Sequence, residues 1–223
     1  MNHEAAEMIQ KGAFNAASDL FETTLKNLRG KLLDCAPSDM TSEELTIRTG
    51  APLHVTSVDR ESESVFSLFD RPLLFDDEGS DSSVLGSVDC QRRVTSVLLY
   101  NLALTCHVKA MRGVSQRRLL RKALKIYRMA AGLSEDFQGT SQYDPVVHLA
   151  CLNNMGHIYA FFFETVKVQE CLKSLTSVLG SYHHTCPGQA LDATSYLEAD
   201  FSEFCLTVML FHDQVTNAIA PAA

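Results

Sequence analysis

At 223 residues, with 46% apolar and 21% charged side chains, the chain has the composition of an ordinary globular protein with enough length for a substantial core. No uninterrupted run of about 18 apolar residues marks a bilayer span, and the opening Met1-Asn2-His3-Glu4 lacks the basic and apolar regions of a secretory signal. A cytoplasmic or nuclear protein without membrane attachment is therefore expected. The net charge of −8 is unevenly spread: residues 91–133 carry ten bases and no acid, between acidic flanks on both sides. Such segregation implies internal complementarity or a binding surface. The seven cysteines are odd in number, include no CxxC pair and fall partly in apolar helical patterns, which favours reduced core thiols over disulfides.

Residues 3–34 read as a helical hairpin. Ala5, Met8 and Ile9 mark one face, Gly12-Ala13-Phe14 makes the turn, and Ala17, Leu20, Phe21, Thr24, Leu25 and Leu28 repeat at helical spacing. Residues 35–88 lose that period and gather Ser, Thr, Asp, Glu, Gly and Pro, predicting an irregular, partly disordered insertion. Two β-prone runs, Leu53–Val58 and Val65–Phe75, predict a small hairpin laid on the helices, with Pro72 confining it to an edge or a turn. The acidic run from Asp76 to Ser83 predicts a loop able to fold back over the basic middle of the chain. It lacks the ligand spacing of a calcium-binding EF-hand.

Residues 89–112 predict a long helix, broken by Gly113-Val114-Ser115, with Ser115 placed to cap the next. Residues 116–133 are amphipathic: Leu119, Leu120, Ala123, Leu124, Tyr127 and Ala130 face inward. The basic residues Arg117, Arg118, Arg121, Lys122, Lys125 and Arg128 face outward. That outer row is a solvated face, a dock for the chain's own acids, or a surface for an acidic or phosphorylated partner or RNA. The acidic net charge and the absence of interleaved aromatics count against nucleic acid.

Pro145 opens a helix, 145–162, that is apolar on nearly every side. Gly156 in its interior costs about 1 kcal/mol relative to alanine, so a neighbouring helix in close contact is the expected compensation. Residues 165–180 predict the next helix, 181–189 a loop, and 192–211 a last helix carrying Leu197, Phe201, Phe204, Cys205, Val208 and Met209.

Few residues point to catalysis. Cys106 and His107 are adjacent on a helix, so their side chains diverge by roughly 100° and cannot pair as nucleophile and base. His183-His184-x-Cys186 offers too few ligands for structural zinc, with no second pair in view. His148 and His157, nine residues apart, do not form an HExxH arrangement. There is no GxGxxG, phosphate loop or GxSxG. A non-enzymatic protein with no cofactor and no metal is expected; a thiol- or metal-dependent enzyme is the remotest alternative.

One frame recurs. Ala5-x-x-Met8 precedes Ala17-x-x-x-Phe21-x-x-Thr24; Asn101-Leu102-Ala103-x-x-Cys106 precedes Ala123-x-x-x-Tyr127-x-x-Ala130. Asn154-Met155-Gly156-x-x-Tyr159 precedes Val168-x-x-x-Leu172-x-x-Leu175. These pairs resemble degenerate tetratricopeptide repeats. Twelve residues separate the two small or packing positions in the first and third pairs, as in that family; the second has twenty. The insertion also interrupts the usual period of about 34 residues.

The resemblance implies an all-α stack of antiparallel hairpins, about seven helices in a single domain. The hairpins would be 3–34, 89–133 and 144–180, with 190–212 as a capping helix. It also implies an interaction scaffold that binds a peptide or partner domain in a concave groove. Tyr100, Leu104, His107 and Val108 would line it, with Asn153, His157, Ala160 and Phe161. The Lys, Arg and Asn clamp that some members use for a terminal carboxylate has only Asn101 as a counterpart, so that ligand is not implied.

Overall fold

Apolar residues three and four apart, closed off by glycines in the left-handed region, build the first two helix pairs. The computed structural model describes residues 1–34, 46–53, 66–75, 88–113, 115–135, 145–185 and 201–210, with the main chain alone at 31–34 and 182–185. Two units emerge: Met1–Val58 with Asp70–Cys151, and Asp59–Phe69 with Leu152–Ala223.

In the first unit α1 (Asn2–Gln10) and α2 (Phe14–Asp34) meet at Gly12, φ +76°, whose N–H donates to the Ile9 carbonyl at 2.9 Å. The pair α3 (Val88–Met111) and α4 (Gln116–Glu135) turns at Gly113, φ +89°. A side chain at either position would be strained. Ser115 enters α4 with φ +49°, its carbonyl accepting from the Arg118 and Leu119 amides, both at 3.1 Å. Helices α2 and α4 both pack on α3, which explains why Tyr100, Ala103, Leu104 and Ala110 are wholly buried. By length and composition α3 is apolar enough to cross a bilayer, but most of it lies inside this packing. Leu120, Ala123, Leu124, Tyr127 and Ala130 of α4 are buried, and its six outward cations are exposed, as its amphipathic pattern predicts.

Helix α5 (Pro145–Phe161) contributes Pro145–Cys151 to the first unit and Leu152–Phe161 to the second. Pro145 takes the first helical position, where its missing N–H costs nothing. The turn into α6 (Thr165–Thr185) passes through Phe163, at φ +59° and 89% exposed. Helix α6 continues through residues predicted as loop; Ser181 bonds back to the Ser177 carbonyl at 2.9 Å, a local bond that helix geometry accommodates. The described part of the last helix, α7, is Phe201–Leu210, which buries Phe204 and Thr207. The remainder of that predicted helix, Leu197 included, lies outside the described residues. Helix dominates throughout, as an all-α class requires.

The insertion departs from expectation. The antiparallel pair is formed by β1 (Ile47–Thr49), which the sequence did not single out, and β2 (Leu73–Phe75); Ile47 stands opposite Phe75 and Thr49 opposite Leu73. Of the run 53–58, only Leu53 is described, and it is buried. The segment 66–75 is a packed part of the core: Phe66, Phe69 and Leu73 are essentially inaccessible to solvent. The acidic run 76–83, and with it any cover over the basic helix, lies outside the described residues.

Gly156 is also explained differently. A Cβ built there collides with the ring of Phe66, so what needs the glycine is an aromatic ring of the insertion rather than a neighbouring helix. Gly156→Ala should therefore overpack a buried ring and cost about 1–3 kcal/mol in chemical denaturation. Lys125→Leu, at an exposed position, should stay within about 0.5 kcal/mol of the parent. Indistinguishable midpoints for the two variants would contradict this packing.

Candidate functional site

In an extended chain the N–H and C=O of one residue point to one edge and those of the next residue to the other. Residues 66–75 use both edges. The even residues turn towards the β1 side: the Pro72 carbonyl accepts from the Gly50 N–H at 2.7 Å, and the Asp70 carbonyl from Leu53 at 3.2 Å. The missing N–H of Pro72 therefore faces the β1 side, away from the helix-borne side chains that bond the odd residues.

The odd residues turn towards helices. In the first unit the Tyr100 hydroxyl donates to the Arg71 carbonyl at 3.0 Å. Asn101 accepts from the Leu73 N–H at 2.9 Å and donates to the Leu73 carbonyl at 2.7 Å, so one amide pairs with the whole polar edge of one residue. Asn2 donates to the same carbonyl at 3.0 Å and accepts from Asn101 at 2.9 Å. His3 Nε2 lies 3.0 Å from the Phe75 carbonyl, a contact that requires the proton on Nε2.

In the second unit Asn153 donates to the Ser67 carbonyl at 2.8 Å. Asn154 accepts from the Phe69 N–H at 2.9 Å and donates to the Phe69 carbonyl at 3.0 Å. The Phe69 ring packs on Phe204 of α7 with centroids 4.9 Å apart.

The three residue pairs involved are Asn2-His3, Tyr100-Asn101 and Asn153-Asn154. Each pair ends two positions before a small residue of the recurring frame: Ala5, Ala103 or Gly156. Asparagine is a mediocre helix former, and a buried amide without partners is costly. Asn101 and Asn154 are fully buried, and the bonds to the segment compensate both penalties. Neither residue stood out as a site in the sequence. The available signal was an asparagine at the same frame position in two apolar helices.

Two of the expected groove residues, Tyr100 and Asn153, do hold polypeptide, namely the chain's own. Leu104, His107 and Val108 are core positions rather than an open wall. His107 meets Tyr127 edge-on at 6.0 Å, and Tyr100 packs on the same ring at 5.8 Å. His157, Ala160 and Phe161, in the second unit, keep partial exposure, with Phe161 packed against Phe162. The cations of α4 are solvated, and Lys122 pairs with Glu22 of α2 at 3.2 Å.

Titration favours neutral forms in the interior. Burial raises the Cys106 thiol despite the nearby Lys122 charge, which disfavours the thiolate a nucleophile needs. Burial lowers His148, with Glu135 opposing, and pulls His157 down to about 4. Among the described residues no three His, Cys, Asp or Glu side chains group as metal ligands; the side chains of His183, His184 and Cys186 lie outside them. Comparison with protein-family models, curated proteins and solved structures returns no match.

Asn101→Ala and Asn154→Ala should each lower unfolding free energy by about 1–3 kcal/mol per stranded buried group. Asn27→Ala, exposed on α2, serves as the control in urea titration; equal effects at all three sites would deny the asparagines this role. His157 also carries a pH signature. Its folded value near 4 lies below the ordinary 6.5, so between those values the unfolded chain binds the extra proton. The neutral ring's contribution is complete above about pH 6.5 and is lost as pH falls towards 4, with a slope of up to about 1.4 kcal/mol per pH unit. His157→Gln should flatten that part of the stability curve, and an unchanged slope would count against the assignment.

Proposed function

We propose that this chain is a non-enzymatic, tetratricopeptide-like interaction protein whose first helices hold extended polypeptide by its main chain. The observation that carries this is the matched pair Asn101 and Asn154, each bonded to both the N–H and the C=O of one extended residue. A side-chain amide used in this way imitates a neighbouring β-strand and accepts any residue other than proline. Specificity then falls to the pockets beside it, here filled by Phe69 and Leu73.

A second surface supports a different partner. Arg117, Arg118, Arg121, Lys122, Lys125 and Arg128 lie exposed on one helix, a face suited to an acidic or phosphorylated protein.

Selection of displayed random peptides against the native chain and against Leu73→Ala separates the two. Enrichment, from either protein, of apolar peptides with a residue other than proline at the held position, with binding that survives high salt, supports main-chain holding. Acidic peptides released by salt favour the α4 face instead. No enrichment from either protein refutes the peptide-holding role.

A further inference from the structure

We infer that the outer face of α4 docks an acidic helix of a partner protein, whose carboxylates recur three and four residues apart along one side. The inference rests on the second reading above, that this face meets an acidic protein, and it supplies the form of that partner.

The exposed residues of α4 between Arg117 and Gly132 are the six cations, Met129 and Gly132. At 3.6 residues per turn they share an arc of about 140° and span about 22 Å of helix axis. The arrangement is unfavourable for the helix itself. Like charges three or four residues apart repel, as Arg118 does with Arg121 and Lys122, and both of these with Lys125. Arg117 and Arg118 also occupy the first turn, which holds no acid and where the helix dipole is already positive. Interleaved acids would relieve the repulsion, yet residues 91–133 contain none. A partner supplies the missing negative charge.

Lys122 pairs with Glu22, and Arg121 and Arg128 have interactions of their own. Arg117, Arg118 and Lys125 therefore carry the inference. They are spread over about 12 Å of helix axis, whereas a single phosphate requires cations that converge on one point. A second helix laid alongside α4 presents carboxylates at the same three- and four-residue intervals and reaches all three. Its direction follows from the dipoles. The C-terminal end of the partner helix, negative by its own dipole, fits the N-terminal half of α4, so the two run antiparallel.

The C-terminal part of the arc offers a contact of another kind. Met129 is 51% exposed, and a Cβ built at Gly132 meets no atom within 4 Å. Glycine is a poor helix former at an interior position, and none of the described residues fills the space above this one. An incoming helix can approach closely at Gly132 and pack an apolar side chain on Met129.

The test is fluorescence anisotropy with two labelled helical peptides of one composition, made of glutamate, alanine and leucine. In the first the glutamates line one face; in the second they are permuted around the helix. The full-length native chain should bind the first at least about tenfold more tightly than the second. Full-length Arg118→Glu with Lys125→Glu should weaken the first peptide by at least about tenfold, because like charges then oppose each other. Lys11→Glu with Lys173→Glu makes the same change in net charge at exposed positions outside α4. At physiological salt that control should stay within about twofold of the native chain. Gly132→Gln separates docking from a structural role: it should raise the urea midpoint through helix propensity, yet weaken the first peptide by about fivefold or more.

Equal binding of the two peptides, or an equal loss in the Lys11 and Lys173 control, would overturn helix docking while leaving a diffuse attraction for acidic proteins. Undiminished binding by Gly132→Gln would overturn it too. Absence of binding by either peptide at low salt would defeat the acidic-partner reading as well. Tighter binding of a single-stranded RNA of equal charge would assign the face to nucleic acid and overturn the inference.

Discussion

A buried asparagine amide paired with the N–H and C=O of a single residue is the contact on which the insertion depends. An extended segment pressed against helices has one polar edge with no strand to meet it, and burying that edge unpaired costs roughly 1–3 kcal/mol per group. Asn101 and Asn154 supply the missing edge from helix surfaces. With that edge satisfied, Phe69 and Leu73 can be fully buried, and a β-prone run within an otherwise irregular insertion is packed inside rather than laid on the surface. The strand pair alone would not achieve this, because it is only three residues long on each side and short two-stranded pairs are marginal in water.

Packing and hydrogen bonding are coupled through the same short motif. Two residues before Gly156 stands the amide that holds Phe69, and over Gly156 itself lies the ring of Phe66. The helix thus bonds to one residue of the segment and makes room for another. In the first unit the arrangement is tighter around a single point, where Asn2 and Asn101 bond each other and converge on the Leu73 carbonyl. A carbonyl with two lone pairs accommodates both donors.

The charge segregation has a simpler physical meaning than its size suggests. The outward cations of α4 are exposed, and Lys122 pairs with Glu22 of α2 through side chains that are each more than two-fifths exposed. Pairs of that kind contribute about 0–1 kcal/mol. An exposed pair of this kind adds little to stability, so the exposed row on α4 matters chiefly as an electrostatic surface for what approaches it.

The sequence by itself determined the helices and their faces. Spacing of three and four residues placed α1 to α4 to within a few residues, Pro145 marked the start of α5, and Gly12 and Gly113 marked two turns, because these signals are local properties of the backbone. It also identified the recurring frame and its small residues. What occupies that frame was decided only by tertiary structure. Tyr100 and Asn153 read as groove walls, and the amides of Asn101 and Asn154 as part of a packing pattern, because nothing local reveals that a segment 28 or 85 residues away will lie against them. The same limit hid the pairing of Ile47–Thr49 with Leu73–Phe75 and the burial of Phe66. Period-two alternation is weak in a stretch interrupted by Pro72, and its hydrogen-bond partners are side chains on helices, which no strand pattern encodes.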